Sequence, residues 1–163
     1  MPSNSKGMSR VVVGGTFDPL HDGHRALLKK ACELINDGGL FVGLTSDKMA
    51  KNKSHRVDDY RTRFDAIMEF IAAQGIKPEI IKLDDPYGPT LRDNFDYIVV
   101  SPETHPTALK INEIRREKGL KPIQIVLVDY ILADDGLPIS SSRISRGEID
   151  EHGKVLNKRA GRG

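Results

Sequence analysis

The sequence predicts an α/β fold built on a doubly wound, Rossmann-like, parallel five-stranded sheet. Three observations predict it. Short apolar runs recur at 10–13, 40–44, 79–83, 97–100 and 124–128, segments of helical periodicity stand between most of them, and a glycine pair follows the first run directly. Such alternation is what βαβ crossovers need, because a parallel sheet is covered by helices on both faces. Ligands bind such sheets at the carboxyl ends of the strands, where the strand order reverses.

The elements follow in order. Residues 1–9 are polar and form a flexible leader. Arg10-Val11-Val12-Val13 is a β-branched strand ended by Gly14-Gly15. A helix follows over 22–35, with Leu27, Leu28, Ala31, Leu34 and Ile35 at helical spacing and a 36–39 Asn-Asp-Gly-Gly stop. After the strand at 40–44, the stretch 45–57 is polar and Lys-rich and predicts a mobile loop. A second helix over 58–74 carries Tyr60, Phe64, Ile67, Met68 and Ile71 on one face, and Gly75 closes it. Strands at 79–83 and 97–100 precede a helix over 107–118 that turns Ala108, Ile111 and Ile114 inward. A fifth strand at 124–128 and a short helix from Ser141 complete a domain of residues 10–153; the basic tail 154–163 is expected to be flexible.

The bulk properties narrow the function. A chain of 163 residues makes one domain with a real core. A net charge of +2 is too small for nucleic-acid binding through a global basic field. The single cysteine, Cys32, rules out an internal disulfide framework and suits a reducing compartment. No apolar run approaches the ~18 residues that span a bilayer, and residues 1–8 lack an apolar signal core. The expectation is a cytoplasmic protein with no membrane or nucleic-acid partner.

The chemistry concentrates where the first strand ends, in Gly14-Gly15-Thr16-Phe17-Asp18-Pro19-Leu20-His21-Asp22-Gly23-His24. Gly14 and Gly15 let the backbone turn and approach a ligand. His21 and His24, three residues apart, fall on one side of a helical turn. Gly23 between them leaves room for a nucleotide against the helix. The helix N-terminus offers free N–H groups and a positive dipole end, so the two imidazoles above it form a cage for phosphate oxygens. Zinc is the weaker reading, because neither a cysteine nor a third histidine lies near this pair. The chain has no GxGxxG and no GxxxxGK[ST], so neither a dinucleotide fingerprint nor a Walker loop holds the nucleotide.

A second element is Pro138-Ile139-Ser140-Ser141-Ser142-Arg143-Ile144-Ser145-Arg146. Taken alone, its three serines make an ordinary N-cap. Beside the histidine motif they read as the other half of a triphosphate site, with Arg143 and Arg146 taking the distal phosphates. A third element is the 48–56 stretch. Most of its charges are solvated, with one or two lysines, Lys48 or Lys51, reaching the phosphates.

These residues resemble a known superfamily. His21-Asp22-Gly23-His24 is similar to the HxGH motif of the nucleotidyltransferases, and Ile139 to Arg146 to their ISSTxxR-type motif. The whole set, from Arg10 to Gly153, resembles the archaeal-type pantetheine-phosphate adenylyltransferases, relatives of the adenylyltransferase half of eukaryotic coenzyme A synthase. It includes Gly43 to Asp47, Val99 to Thr104, Ile111-Asn112 and Arg146 to Asp150. Two positions depart from the pattern: Ser142 stands where threonine is common, and Ser145 where a basic residue is usual. The resemblance implies a nucleotidyltransferase-type sheet and the reaction of ATP, with Mg²⁺, and 4′-phosphopantetheine to give dephospho-coenzyme A and pyrophosphate. It implies that His21, His24 and Lys48 or Lys51 act at the reacting phosphates, and that Thr16, Phe17 and Asp18 serve the acceptor. Gly14, Gly15, Gly23, Pro102, Glu103, Ser140, Ser141, Ser142, Arg143 and Arg146 then hold ATP. The alternative within the superfamily is adenylylation of nicotinamide mononucleotide or riboflavin phosphate, or a cytidylyl transfer. The Asp135-Gly136-Leu137-Pro138 lead into the second motif disfavours the last.

Overall fold

β1 (Arg10–Gly15) lies at the centre of a five-stranded, all-parallel sheet of order β3-β2-β1-β4-β5. The chain is described here from a computed structural model that covers residues 9–35, 38–51, 53 and 55–156. It runs outward from β1 through β2 (Gly39–Thr45) to β3 (Glu79–Leu83), then returns to the other side of β1 as β4 (Tyr97–Val100) and β5 (Gln124–Leu127). The order therefore reverses at β1, and a crevice opens between the carboxyl ends of β1 and β4. Val13 sits opposite Val42 on one side and Val99 on the other, which levels the strand ends beneath that crevice.

Alternation along β1 builds the two halves of the core. Val11 and Val13 join Leu27, Leu28 and Ala31 of α1 (Asp22–Leu34) and Ile67 and Ile71 of α3 (Tyr60–Ala72). Val12 points the other way, to Phe95, Ile98, Ile123 and the Ala108 and Ile111 of α4 (His105–Glu117). A small separate cluster of Ala133, Ile139 and Ile149 supports α5 (Ser141–Ser145).

Local chemistry sets the boundaries. α3 starts at Tyr60 rather than 58 because the Asp59 side chain caps it, accepting from Thr62 N, while the Asp58 N–H is donated to Asp18 Oδ2 at 2.6 Å. α4 starts at His105, two residues ahead of the expected 107, with Pro106 in its first turn. The 45–57 stretch is not wholly loop: Thr45 ends β2, and Ser46 caps a single helical turn, α2 (Asp47–Ala50). A 3-10 turn at Gly88–Leu91 has no counterpart in the sequence reading. At the edges of the expected domain, Ser9 is buried rather than part of a loose leader. Lys154 to Leu156 also fold back, with Val155 bridging Ile149 and Leu156 N donating to Glu148 O. The rest of the expected leader, 1–8, and tail, 157–163, lies outside the described residues. No helix among the described residues is long and apolar enough to cross a membrane.

Candidate active site

The turn after β1 is held in a demanding backbone shape. Phe17 has φ of 53°, a left-handed conformation that disfavours a side chain, and is kept there by burial of its ring. That ring meets His24 edge-on at 5.2 Å. The turn delivers the chain to α1 with His21 as the N-cap.

His21 and His24 close a capping box on each other. His21 Nδ1 accepts from Gly23 N at 3.0 Å and His24 N at 3.3 Å, and His24 Nδ1 accepts from His21 N at 3.3 Å. The Asp22 N–H goes to the Glu151 carbonyl at 3.0 Å. This corrects the expectation of free N–H groups at the start of α1, since the first ones are already bonded within the chain. What remains toward the cleft is the dipole end and the imidazole edges. Gly23 also has a nearer reason than nucleotide clearance: a Cβ there would lie 2.9 Å from His21 Cε1, so the ring could not fold over the helix end.

Both rings are neutral. Burial, aided by the Arg25 charge, lowers His21 to about 4 against opposition from Asp22 and Glu151. Burial, then His21 and Lys53, holds His24 well below its ordinary value, opposed by a hydrogen bond with the Pro19 backbone. With each Nδ1 accepting, each ring carries its proton on Nε2. Each ring is left with one donor, its Nε2–H, and at His24 a hydrogen bond with the Pro19 backbone is already present.

Two cavities meet above the strand ends. The more polar of the two, a cleft of about 770 Å³ in which apolar side chains still supply most of the lining, runs from Gly14, Thr16 and the histidines to Ser101, Asp129 and the Ser140–Arg143 segment. An apolar cavity of about 350 Å³ is lined by Gly43, Met49, Leu83, Pro89, Val100 and Ala108, among others. They share Gly14, Gly15, Thr16, Lys53 and Thr104. Of the residues expected to hold ATP or its partner, Phe17, Asp18, His21, Gly23, His24, Glu103, Ser140, Ser141, Ser142 and Arg143 all line the polar cleft.

Four expected residues are not brought there. Pro102, Lys48 and Arg146 line neither cavity, and Lys51 lines a separate polar hollow with Asp47, His55 and Arg56. Lys53 stands at the junction in place of its neighbours. Arg143 faces the cleft, yet its guanidinium is committed to Glu148 at 2.9 Å, the Pro138 carbonyl at 3.2 Å and the Asp135 carboxylate. These contacts hold the serine segment in place and leave Arg143 paired rather than free at the cleft. Arg146 pairs with Glu148 at 2.7 Å on the surface. Among the described residues no group of three or more His, Cys, Asp and Glu side chains could hold a metal ion.

The segment after the serines is fastened to α1. Arg25 bonds Asp22 at 2.8 Å and pairs with Glu151, while His152 Nδ1 meets Asp22 at 3.0 Å. The two motifs, far apart in sequence, thus face each other across one cleft. Two buried arginines outside the motifs brace the segments around the cavities. Arg63 donates to the carbonyls of Thr16 and Thr45 at 3.3 and 2.9 Å, and Arg115 to those of Thr90 and Asp93 at 2.8 and 2.7 Å. The sequence did carry a signal for both: each arginine falls on an apolar helical stripe, Arg63-Ile67-Ile71 and Ala108-Ile111-Arg115.

Comparison with known proteins agrees with this geometry. A cytidylyltransferase-like family model matches residues 12–147. A phosphopantetheine adenylyltransferase of Methanosarcina barkeri is 54% identical over 151 residues, covering 91% of this chain and 93% of its own. One from Archaeoglobus fulgidus is 46% identical over 150 residues, with 90% of this chain and 99% of the relative covered. A crystal structure of an Archaeoglobus fulgidus protein of unknown function superposes with a TM-score of 0.70 at 43% identity, over 74% of this chain and 89% of that one.

Proposed function

The chain belongs to the cytidylyltransferase-like family, and we propose that it transfers AMP from ATP to 4′-phosphopantetheine, giving dephospho-coenzyme A and pyrophosphate. The observation that carries this reading is the junction of the two cavities at Thr16 and Lys53. A polar cleft suits a nucleoside triphosphate, an apolar cavity suits a pantetheine arm, and the reacting phosphates stand where the two meet. ATP lies along the polar cleft with its triphosphate between the histidines and Ser140–Ser142. The acceptor phosphate lies at Thr16.

An oxygen of the acceptor phosphate attacks the α-phosphorus in line. That O–P bond forms as the α–β bridging P–O bond breaks, and the electron pair leaves on pyrophosphate. The nucleophile is already an anion, so the protein supplies position and charge stabilisation rather than a strong base. His21 and His24 donate from Nε2 to the α- and β-phosphate oxygens, and Lys53 places its charge where negative charge accumulates. A Mg²⁺ ion would be held through the triphosphate oxygens and would offset their charge. The reaction belongs in the cytoplasm, where Cys32 stays reduced.

Incubating the protein with ATP and 4′-phosphopantetheine and detecting dephospho-coenzyme A by mass spectrometry tests the reading. Nicotinamide mononucleotide and riboflavin phosphate serve as competing acceptors, and CTP as a competing donor. Turnover of one of these, with none of phosphopantetheine, would overturn it.

A further inference from the structure

We propose that Arg63 and Thr45 form a one-way hydrogen-bond relay that aims the Thr16 hydroxyl proton at the acceptor phosphate. The proposal rests on the functional reading above, which puts that phosphate at Thr16. Neither residue belongs to the histidine or serine motif. Arg63 comes from α3 and Thr45 from the end of β2.

The geometry runs as a chain. The Arg63 guanidinium is buried at 1% exposure and is fixed by Asp58 O at 2.8 Å and Asp47 at 3.0 Å. Its NH1 donates to Thr45 O at 2.9 Å and to Thr45 Oγ1 at 3.2 Å. Thr45 Oγ1 in turn donates to Thr16 Oγ1 at 3.0 Å. A guanidinium cannot accept a hydrogen bond, so the Thr45 proton cannot turn back to Arg63, and Thr16 Oγ1 accepts it. Thr45 Oγ1 accepts from Arg63 with one of its two lone pairs, and its proton goes to Thr16. Thr16 Oγ1 then accepts from Thr45, its own proton is left for another partner, and Thr16 lines both cavities. Reversing the chain would turn the Thr45 proton toward the apolar cavity, the only one of the two that Thr45 lines.

A preset donor loses no orientational freedom when the phosphate arrives, and it stays aimed as charge develops. The same NH1 group also donates to the Thr16 carbonyl at 3.3 Å, so Arg63 pins both the backbone and the hydroxyl of one residue. Arg63 and Thr45 are positioning residues, since neither touches the reacting atoms in this arrangement.

Titration calorimetry with 4′-phosphopantetheine and with pantetheine, which lacks the phosphate, tests the relay. The ratio of the two affinities isolates the phosphate contact. Thr45→Val keeps the shape and removes the hydroxyl, both the proton given to Thr16 and the oxygen that accepts from Arg63. It should cut the preference for the phosphorylated ligand about tenfold, the worth of one hydrogen bond to a charged group. Affinity for pantetheine should fall far less than affinity for the phosphorylated ligand, and the melting temperature should drop only modestly, because Arg63 NH1 keeps the Thr45 and Thr16 carbonyls. Thr45→Ser should restore the preference. In a Thr16→Val background, Thr45→Val should cost nothing further. A Thr45→Val protein that weakens both ligands alike, or whose loss adds fully to that of Thr16→Val, would overturn the relay alone. A native protein that does not distinguish the two ligands would overturn the functional reading, and the relay with it.

Discussion

His21 and His24 stack at 3.7 Å, with their rings 18° from parallel, while each accepts a backbone N–H from the other's end of the turn. Two cationic rings could not sit this way, because like charges at that distance repel strongly in a buried site. The stack therefore requires the neutral state that burial already favours. It makes the start of α1 both a structural cap and a pair of aimed N–H donors.

Stability should accordingly depend on pH through His21. Its folded value of about 4 lies below its ordinary 6.5, so the unfolded chain binds the proton more readily. The contribution is fully present above pH 6.5 and is lost as pH falls toward 4, by no more than about 3 kcal/mol. His21→Asn keeps an N-cap acceptor and removes the titration. The gap in melting temperature between native protein and His21→Asn should therefore narrow or invert between pH 6.5 and pH 4. A gap that stays constant over that window would show that His21 titrates normally.

Much of this was legible in the sequence, for a physical reason. β1 and α1 follow from local periodicity, and the residues from Gly14 to His24 make their key contacts within a few positions of one another. What stayed illegible depends on distant partners. Arg63 reaches Thr16 across 47 positions and Arg115 reaches Thr90 across 25. Periodicity marked both as odd charges on apolar stripes but could not say what they hold. The lysines are a different case. In a run of like charges, composition cannot choose among Lys48, Lys51 and Lys53; only the turn of α2 does so. The ion pairs of Arg143 are not legible in the motif, because its acidic partners, Asp135 and Glu148, lie on either side of it.

The lysine assignment makes a direct prediction. Lys53→Ala should lower kcat/KM for adenylyl transfer by about tenfold or more, through loss of a cation beside the reacting phosphates. Lys48→Ala and Lys51→Ala should each stay within about twofold, as is usual for solvated charges. Steady-state kinetics on the three variants decides between them. A larger loss in Lys51→Ala than in Lys53→Ala would move the site.

The apolar cavity makes another. Thr107 lines it and is half-buried, so Thr107→Phe should fill space without straining the sheet. The KM for phosphopantetheine should rise while ATP affinity holds, because the polar cleft does not include Thr107. Equal weakening of both substrates would mean that the cavity is not the acceptor arm's site.

His24→Ala should impair turnover more than ATP binding. The ring stands in the polar cleft, is neutral, and carries its proton on Nε2 while Nδ1 is occupied by His21 N. Before the α–β bond breaks, the oxygens that His24 faces carry less charge, so the ground-state gain should be small. As the α–β bond breaks, charge grows on the oxygens and the gain rises, which lowers kcat specifically when the donor is lost. Removing one such preorganised donor costs ~10²–10³ in rate. The variant also loses half of the capping box, so a stability cost of about 1 kcal/mol is expected whatever the catalytic role. The two effects separate when kcat, ATP affinity and melting temperature are measured on the same protein. A fall in kcat of a hundredfold or more with nearly native ATP affinity supports the donor role. Near-normal kcat in a destabilised protein would leave His24 as a helix cap and nothing more.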